Sequence, residues 1–261
     1  LYTSGLGVYE TYLNGKRVGR KLSDGSIQYD ELKPGSSEMA ARKLYQTYDI
    51  TDMLATGKNV LSSIVTSGWW TGRVAANYGK KPAYLVKLIL QFSDGSKRVI
   101  VTDSSWKCAF ASPVTFADIY DGETYAARIS TEWMLPSFND ASWQNCVYNS
   151  EFSGELVSGY TSTVTVRKDL QREVVFAVIY QGVADESDAA YGKINTIRTS
   201  ENGIFTLEAG ETAVVDFGQN FAGWEKFKVS GKVGTKVTVR HGEMLNDKNG
   251  LKSRGNDGPE G

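Results

Sequence analysis

The sequence predicts an all-β protein made of two antiparallel β-sandwich domains. Apolar and polar residues alternate along many segments of strand length, which is typical of half-buried strands. The 27 glycines, 14 tyrosines and 6 tryptophans favour strands joined by tight turns. No segment carries an apolar stripe of helical period over about 12 residues. Antiparallel sandwiches are therefore the expected architecture.

Two hairpins have the clearest signals. Asn14-Gly15 lies between alternating segments and is a strong signal for a two-residue hairpin turn. In the stretch from residue 83 to 103, alternate residues share one apolar face before Asp94-Gly95 turns the chain: Tyr84, Val86, Leu88, Leu90 and Phe92. Further strands are predicted at residues 43–50, 59–66, 105–110, 163–166, 174–180, 213–217, 225–229 and 235–240. Residues 51–54 and 140–143 are each predicted to form about one helical turn.

A domain boundary is predicted near residues 154–163, where "SGELVSGYTST" lacks a core pattern. The two domains then cover residues 1–160 and 161–261. Within the second domain, the polar stretch "QGVADESDAAYGKINT" is predicted to be a loop. The terminal stretch "DKNGLKSRGNDGPEG" is rich in glycine and charge and is predicted to be disordered or truncated.

Composition excludes several classes of function. A net charge of −1 gives no indication of nucleic-acid binding, and no apolar run approaches the roughly 20 residues of a membrane span. One histidine and two cysteines cannot build a usual zinc site. Cys108 and Cys146 could form one disulfide or remain two free thiols.

The chain starts at Leu1 within a predicted strand and shows no signal peptide, so we expect it to be cut from a longer chain.

The tripeptide Asp216-Phe217-Gly218 matches the one that holds magnesium in protein kinases. A kinase also needs a glycine-rich loop, a strand lysine and a His-Arg-Asp loop upstream, and none is present. We therefore interpret the stretch as a strand end that turns at Gly218, with Phe217 and Trp224 packed beneath the turn. His241 is in phase with Val237 and Val239, which favours a structural histidine over a catalytic base.

An acidic segment concentrates Asp118, Asp121 and Glu123 among aromatic residues. Carboxylates at such spacing can bind calcium or accept hydrogen bonds from sugar hydroxyls. They can also form a glycosidase acid/base pair, which needs carboxyl groups about 5–9.5 Å apart. The alternative is an ordered acidic turn that caps neighbouring backbone amides.

The segment "SGWWTGR" places Trp69 and Trp70 directly after a predicted strand. Exposed aromatic residues can hold the apolar face of a sugar ring. Adjacent strand residues point to opposite faces, so we expect one tryptophan to be buried and the other to line a surface or groove. The following loop, residues 77–82, offers an amide oxygen at Asn77 and backbone carbonyls near by.

Together and in this order, these segments resemble the N-terminal β-domains of bacterial α-L-rhamnosidases, glycoside hydrolase family 78. The motifs that carry the resemblance are "SGLGVYETYLNGKRVG", "LYQTYDITDML…GKNVL", "SGWWTGR", "DIYDGETYAAR", "FNDASWQNC" and "DFGQNFAGWEKFKVSG…GTKVTVRHGEMLND". The first five are similar to a jelly-roll-like module that in some relatives binds rhamnose with the help of calcium. The last resembles the β-sandwich that precedes the catalytic domain.

The resemblance implies a non-catalytic N-terminal fragment of an α-L-rhamnosidase, whose parent removes terminal α-L-rhamnose by inverting hydrolysis. The expected partners are a downstream (α/α)₆ catalytic barrel and a rhamnose-containing glycan. The resemblance implies that no cofactor is required, although calcium could bind at the edge formed by Asn77 and Pro82 or at Asp118 and Asp121. A periplasmic or secreted location is favoured for the parent over a cytoplasmic one. The resemblance implies no catalytic residue in this chain. The alternatives are an autonomous calcium-assisted carbohydrate-binding module and a purely structural interdomain module.

Overall fold

A computed structural model describes residues 1–73, 78–159, 162–183 and 194–242 of the chain. The chain divides into two compact units, Leu1–Val166 and Arg167–Gly261. The boundary proposed from the sequence, between residues 160 and 161, falls six residues before that division.

The first unit contains 14 strands in the described part of the chain. In chain order they are β1 Tyr2–Leu6, β2 Val8–Leu13, β3 Lys16–Arg17, β4 Arg20–Lys21, β5 Ile27–Gln28, β6 Arg42–Thr47, β7 Leu61–Thr66, β8 Ala83–Gln91, β9 Lys97–Val101, β10 Lys107–Cys108, β11 Val114–Asp118, β12 Gly122–Tyr125, β13 Gln144–Asn145 and β14 Glu155–Ser158. This confirms the all-β class that the alternating pattern predicts.

Two sheets form the body of this unit. The larger has the order β14-β6-β1-β8-β9, with antiparallel pairs except for the parallel pair β14–β6. The smaller has the order β3-β2-β7. Asn14 and Gly15 turn β2 into β3 with φ angles of 52° and 79°, the left-handed backbone that a tight hairpin requires. Three two-stranded ribbons, β4–β5, β10–β13 and β11–β12, complete the unit.

The main core is made from the alternating faces that the sequence predicts. Val86 and Leu88 are buried on the inward face of β8, and Tyr84 and Leu90 pack against the same cluster. The other buried members are Leu1, Leu13, Val18, Tyr48 and Ile50. Phe92, at the end of the predicted face, is 49% exposed because β8 ends at Gln91. Each buried aliphatic side chain contributes about 1.5–3 kcal/mol.

Buried hydrogen bonds hold the larger sheet in register with its neighbours. The Tyr9 hydroxyl donates to Oε1 of Gln46, and Nε2 of Gln46 donates to the Pro34 carbonyl at 2.9 Å. Both side chains are buried, so each polar atom needs such a partner to offset the loss of water. The bonds join β2, β6 and the segment that precedes β6.

That preceding segment buries a lysine. Lys33 is 2% exposed, and its Nζ lies 5.2 Å from the ring centroid of Tyr9 and 5.4 Å from that of Tyr48. Among the described residues, this Nζ has no hydrogen-bond partner. Burial, and secondarily the charge of Arg17, lowers the pKa of Lys33 to about 8. An ammonium group is therefore kept in the interior with only aromatic faces and nearby carboxylates to compensate for desolvation.

Helical structure in the described residues is confined to single turns. A 3-10 helix at Thr51–Met53 confirms the first predicted helical turn. The second prediction is wrong: residues 140–143 form a turn closed by the Trp143 amide and the Asp140 carbonyl at 2.9 Å. Further short helices are α1 at Gly68–Thr71 and 3-10 turns at Glu132–Met134 and Lys168–Leu170.

The second unit contains one three-stranded sheet in its described part. Its strands are β15 Phe176–Val183, β16 Ile194–Ser200 and β17 Thr212–Asp216, in the order β16-β15-β17. Ala177, Ile179 and Tyr180 on β15 are buried. Most of the predicted loop 181–196 and the whole predicted tail 247–261 lie outside the described residues.

Three strand predictions for the later part of the chain are wrong. Residues 163–166 make only an isolated bridge, between Val164 and Glu31. Residues 225–229 and 235–240 form no strand, although their sequence alternates. Their apolar side chains are exposed, among them Phe227 at 59% and Val237 at 54%. An alternating pattern makes a strand only where a neighbouring strand supplies hydrogen bonds and a packed face.

Candidate functional site

The two adjacent tryptophans lie in a short helix. α1 at Gly68–Thr71 follows β7, and Gly68 opens it with a φ of +51°, where a Cβ would lie 2.5 Å from the Val8 amide nitrogen. Trp70 is 2% exposed and Trp69 is half-buried. The two side chains therefore diverge, but they do so around a helical turn instead of across a strand.

Trp70 anchors a second, smaller core. It packs with Leu6 and Met39, and Tyr78 stacks on its ring at 6.2 Å between centroids and 15° between planes. Gly79 lies against the indole so closely that a Cβ would come within 2.3 Å of it. The Trp70 ring is thus part of the interior and is not available to a ligand.

The loop that ends at Pro82 is fixed by Glu151. Its Oε2 accepts hydrogen bonds from the amides of Lys80 and Lys81 at 2.9 and 3.1 Å. These two amides hold the pKa of the Glu151 carboxyl below its usual range. Asn77, the amide ligand proposed for calcium beside Pro82, lies outside the described residues, so this candidate stays a prediction.

The acidic turn after β11 is held by backbone amides. Oδ1 of Asp118 accepts from the amides of Tyr120 and Asp121 at 2.8 and 3.0 Å. Oδ2 of Asp118 accepts from the amide of Arg73 at 3.0 Å. These three donors, the Asp121 amide foremost, lower the pKa of Asp118. The charged carboxylate is the form that such bonds stabilise.

Arg73 closes the same turn through its side chain. The guanidinium is bidentate on Asp121. Its Nη2 donates to Oδ1 at 2.6 Å, and its Nε lies 3.0 Å from Oδ1 and 3.1 Å from Oδ2. Its Cζ lies 4.0 Å from the centroid of the Tyr120 ring. We call Arg73, Asp118, Tyr120 and Asp121 the arginine clamp. It joins the segment after α1 to the β11–β12 ribbon.

The clamp brings together residues from two of the motifs that the sequence singles out. Arg73 ends "SGWWTGR", and Tyr120 lies inside "DIYDGETYAAR", yet neither is among the predicted site residues. The sequence signal that could have predicted this contact is a cationic residue in one motif and carboxylates in the other. Glu123, the third predicted carboxylate, lies on β12 opposite Ala117 with an exposed side chain.

The clamp chemistry favours ion pairing over proton transfer. A general acid at neutral pH needs a raised carboxyl pKa, and that of Asp118 is lowered. The Asp121 carboxylate already accepts from Nε and Nη2, which form one edge of the Arg73 guanidinium. Within the described residues, no group of three or more His, Cys, Asp or Glu side chains is placed to hold a metal ion.

The Asp-Phe-Gly stretch is a strand end and a turn. Oδ1 of Asp216 accepts from the Gly218 amide at 2.6 Å, and Gly218 has a φ of +70°. The ring of Phe217 meets that of Phe221 edge-on at 5.6 Å. The expectation that Trp224 packs beneath this turn is wrong, because its side chain is 65% exposed.

His241 lies near this turn in sequence but pairs elsewhere. Its Nε2 lies 2.8 Å from Oε1 of Glu225, and the imidazole is 68% exposed. Residues 235–240 form no strand, so the sheet face that His241 was expected to share with Val237 and Val239 is absent.

The fold and the site together define a class of protein, an all-β module of sandwich type with an ordered acidic turn. No helix within the described ranges has the length and apolar character needed to cross a bilayer. Residues 1–168 match the family model of the alpha-L-rhamnosidase N-terminal domain. Residues 207–256 match that of the bacterial alpha-L-rhamnosidase concanavalin-like domain. Since the first family model matches more than half of the 261 residues, the chain belongs to the α-L-rhamnosidase family.

Curated relatives and solved structures agree with this assignment. An α-L-rhamnosidase of Streptomyces avermitilis is 32% identical over 252 residues, which is 94% of this chain and 21% of the relative. One from Alteromonas sp. is 27% identical over 94% of this chain and 23% of the relative. The chain thus spans about a fifth to a quarter of the length of these curated relatives, and it corresponds to an N-terminal region of such proteins.

Two solved structures give the same picture at the level of the fold. The Streptomyces avermitilis α-L-rhamnosidase complexed with L-rhamnose superposes with a TM-score of 0.58 at 25% identity, over 83% of this chain and 24% of that one. An Aspergillus terreus α-L-rhamnosidase gives a TM-score of 0.50 at 29% identity, over 70% of this chain and 23% of that one.

Proposed function

We propose that this chain is the non-catalytic N-terminal part of an α-L-rhamnosidase and that it scaffolds the catalytic domain of its parent. The observation that carries the proposal is family membership over a chain that spans only 21–23% of curated α-L-rhamnosidases. The parent would remove terminal α-L-rhamnose from glycosides or polysaccharides. The occupied carboxylates of the arginine clamp support a structural use of the acidic turn.

The exposed apolar face of residues 225–239 supports the scaffolding role. Phe227, Val229, Val237 and Val239 are each about half exposed or more. Faces of this kind mark contacts with further protein. The catalytic domain of the parent is the partner we propose for this face.

Activity of the isolated chain tests the non-catalytic part of the proposal. The 261-residue chain is incubated with p-nitrophenyl-α-L-rhamnoside, and release of nitrophenol is followed. We expect no turnover above a buffer blank. Turnover that scales with the concentration of the purified chain would overturn the proposal.

Thermal melting of the full-length parent tests the scaffolding part. Phe227→Asp should lower the melting temperature of the catalytic domain, because a carboxylate would be desolvated at the contact. Lys226→Asp is the matched control, since Lys226 is an exposed neighbour in the chain. Equal melting of the two variants would contradict a contact at this face.

Sugar binding is a second candidate function. Tyr120 is 67% exposed beside the exposed Arg73, and the half-buried Trp69 precedes the same segment. Aromatic faces beside a charged hydrogen-bond donor are the groups that grip a sugar ring and its hydroxyls. One relative of this chain was crystallised with L-rhamnose. We propose the same ligand class here, with calcium at Asn77 and Pro82 as an aid, because the carboxylates of Asp118 and Asp121 are already occupied.

Calorimetry separates this candidate from a purely structural module. L-rhamnose is titrated to millimolar concentration with calcium and with a chelator. A binding module releases heat that is lost in Tyr120→Ala and kept in Tyr148→Ala, a change at another exposed tyrosine. The absence of heat in both conditions would leave the structural role alone.

A further inference from the structure

The β10–β13 ribbon places both cysteines of the chain on one face. Lys107 pairs with Asn145 and Cys108 with Gln144, and the Cys146 amide donates to the Trp106 carbonyl at 2.8 Å. Side chains alternate between the two faces of a strand, so Cys108 and Cys146 share a face as diagonal neighbours.

The two thiols are free, and they interact. Cys108 is exposed, whereas Cys146 is half-buried. Burial, and then a hydrogen bond with the Cys108 thiol, raises the pKa of the Cys146 thiol to about 11. The pair is therefore asymmetric, because Cys108 is exposed to solvent whereas Cys146 is half-buried and is a protonated thiol near neutral pH.

We propose that Cys108 and Cys146 form a redox-responsive dithiol that closes to an intramolecular disulfide by exchange with a small-molecule disulfide. The Cys108 thiolate attacks one sulfur of that disulfide and expels the first small thiol, which leaves a mixed disulfide on Cys108. Cys146 then loses its proton, attacks the Cys108 sulfur and expels the second small thiol. The protein is oxidised by two electrons, and the small disulfide is reduced to two thiols.

The diagonal placement makes this bond responsive instead of permanent. Diagonal neighbours lie farther apart than directly opposite residues, so closing the bond requires a small shift of the ribbon. Strained or exposed disulfides are the more easily reduced ones.

Closure would also act on the acidic turn. The 37 residues between the two cysteines include β11, β12 and the Asp118–Asp121 part of the arginine clamp. A cross-link at the base of this segment limits its freedom to open. The oxidised chain should therefore hold the clamp more tightly than the reduced chain.

Intact mass spectrometry of the 261-residue chain in glutathione redox buffers tests the dithiol. As the oxidised fraction rises, the wild-type chain should lose about 2 Da, and a non-reducing peptide digest should link the Cys108 and Cys146 peptides. Cys108→Ser and Cys146→Ser should each gain a single glutathione adduct instead.

One result would overturn the redox-responsive dithiol, and a second would overturn its proposed effect on the arginine clamp. One is a wild-type chain that stays reduced, or that carries glutathione on both cysteines, at every buffer ratio. The other is a linked chain whose amide exchange at Tyr120 and Asp121 equals that of the reduced chain, because the cross-link would then not restrain the clamp.

Discussion

The two units of the chain differ in how far their apolar side chains are buried. In the first unit, inward-facing residues of β8 such as Val86 and Leu88 are almost fully buried. In the second, β15 buries Ala177 and Ile179, but the segment after β17 leaves Trp224, Phe227 and Val237 more than half exposed. Both regions alternate in sequence. The difference is that β8 lies between β1 and β9, whereas residues 225–229 have no ladder partner in the described part of the chain.

An alternating pattern is therefore not sufficient for a strand. Strand stability comes from cross-strand pairs and a packed face, and both depend on what lies beside the segment. Four measurements test the contrast, in order of decreasing effect.

Trp70→Ala should destabilise the first unit by about 3–5 kcal/mol, because it removes a large side chain from the second core. Trp224→Ala should change the free energy of unfolding by about 0.5 kcal/mol or less, since that side chain is 65% exposed. Urea unfolding followed by circular dichroism measures both. Similar losses for the two variants would show that Trp224 is buried in solution.

Lys33→Met should stabilise the first unit by about 2–3 kcal/mol near pH 7, because the pKa of Lys33 falls from 10.5 to about 8 on folding. The unfolded chain binds the extra proton between these values, so wild-type stability rises from pH 8 to 10.5. The gain from methionine should therefore shrink across that window.

Unfolding in urea at pH 7 and pH 10.5 measures this change. Lys16→Met, at an exposed position, is the control and should show little effect at either pH. A gain for Lys33→Met that is independent of pH would mean that the ammonium reaches water.

Asp118→Asn should loosen the arginine clamp without unfolding the unit. An amide oxygen is a weaker acceptor than a carboxylate, so exchange of the Arg73, Tyr120 and Asp121 amides should rise roughly tenfold. Asp140→Asn, at an exposed position in the same unit, should leave these rates unchanged. Because the pKa of Asp118 is lowered on folding, the wild-type clamp should persist above the usual carboxyl range and weaken as the pH falls through the lowered value.

Val237→Ser should have the smallest effect, about 0.5 kcal/mol or less, because the side chain is 54% exposed. Val86→Ser, at a site that is 1% exposed, should cost more than about 2 kcal/mol. Thermal melting of both variants is sufficient. A large loss for Val237→Ser would show that the isolated chain covers this segment.

Local signals predicted the parts of the fold that depend on neighbouring residues. Asn14-Gly15 gave the hairpin, because a left-handed turn is a property of those two residues. The face of β8 followed from its alternation. The helix that holds Trp69 and Trp70 escaped prediction, since four residues are too few to show a helical period.

The sequence predicted only part of the candidate site, for a similar reason. Asp118 and Asp121 are visible as a cluster in the sequence, but Arg73 is 45 residues away from Asp118 and meets it only in the folded chain. The buried Lys33 gave no signal either, because lysine is ordinarily a surface residue.

The sequence by itself determined the all-β class, the main hairpins, the apolar face of β8 and the family motifs, because these are written in the spacing of nearby residues. Tertiary structure alone decided which alternating segments become strands, which tryptophan is buried, how the acidic turn is occupied, and that Cys108 and Cys146 share a face. Each of these depends on residues far apart in the chain, and only the packing of the sheets brings their side chains within hydrogen-bonding or van der Waals distance.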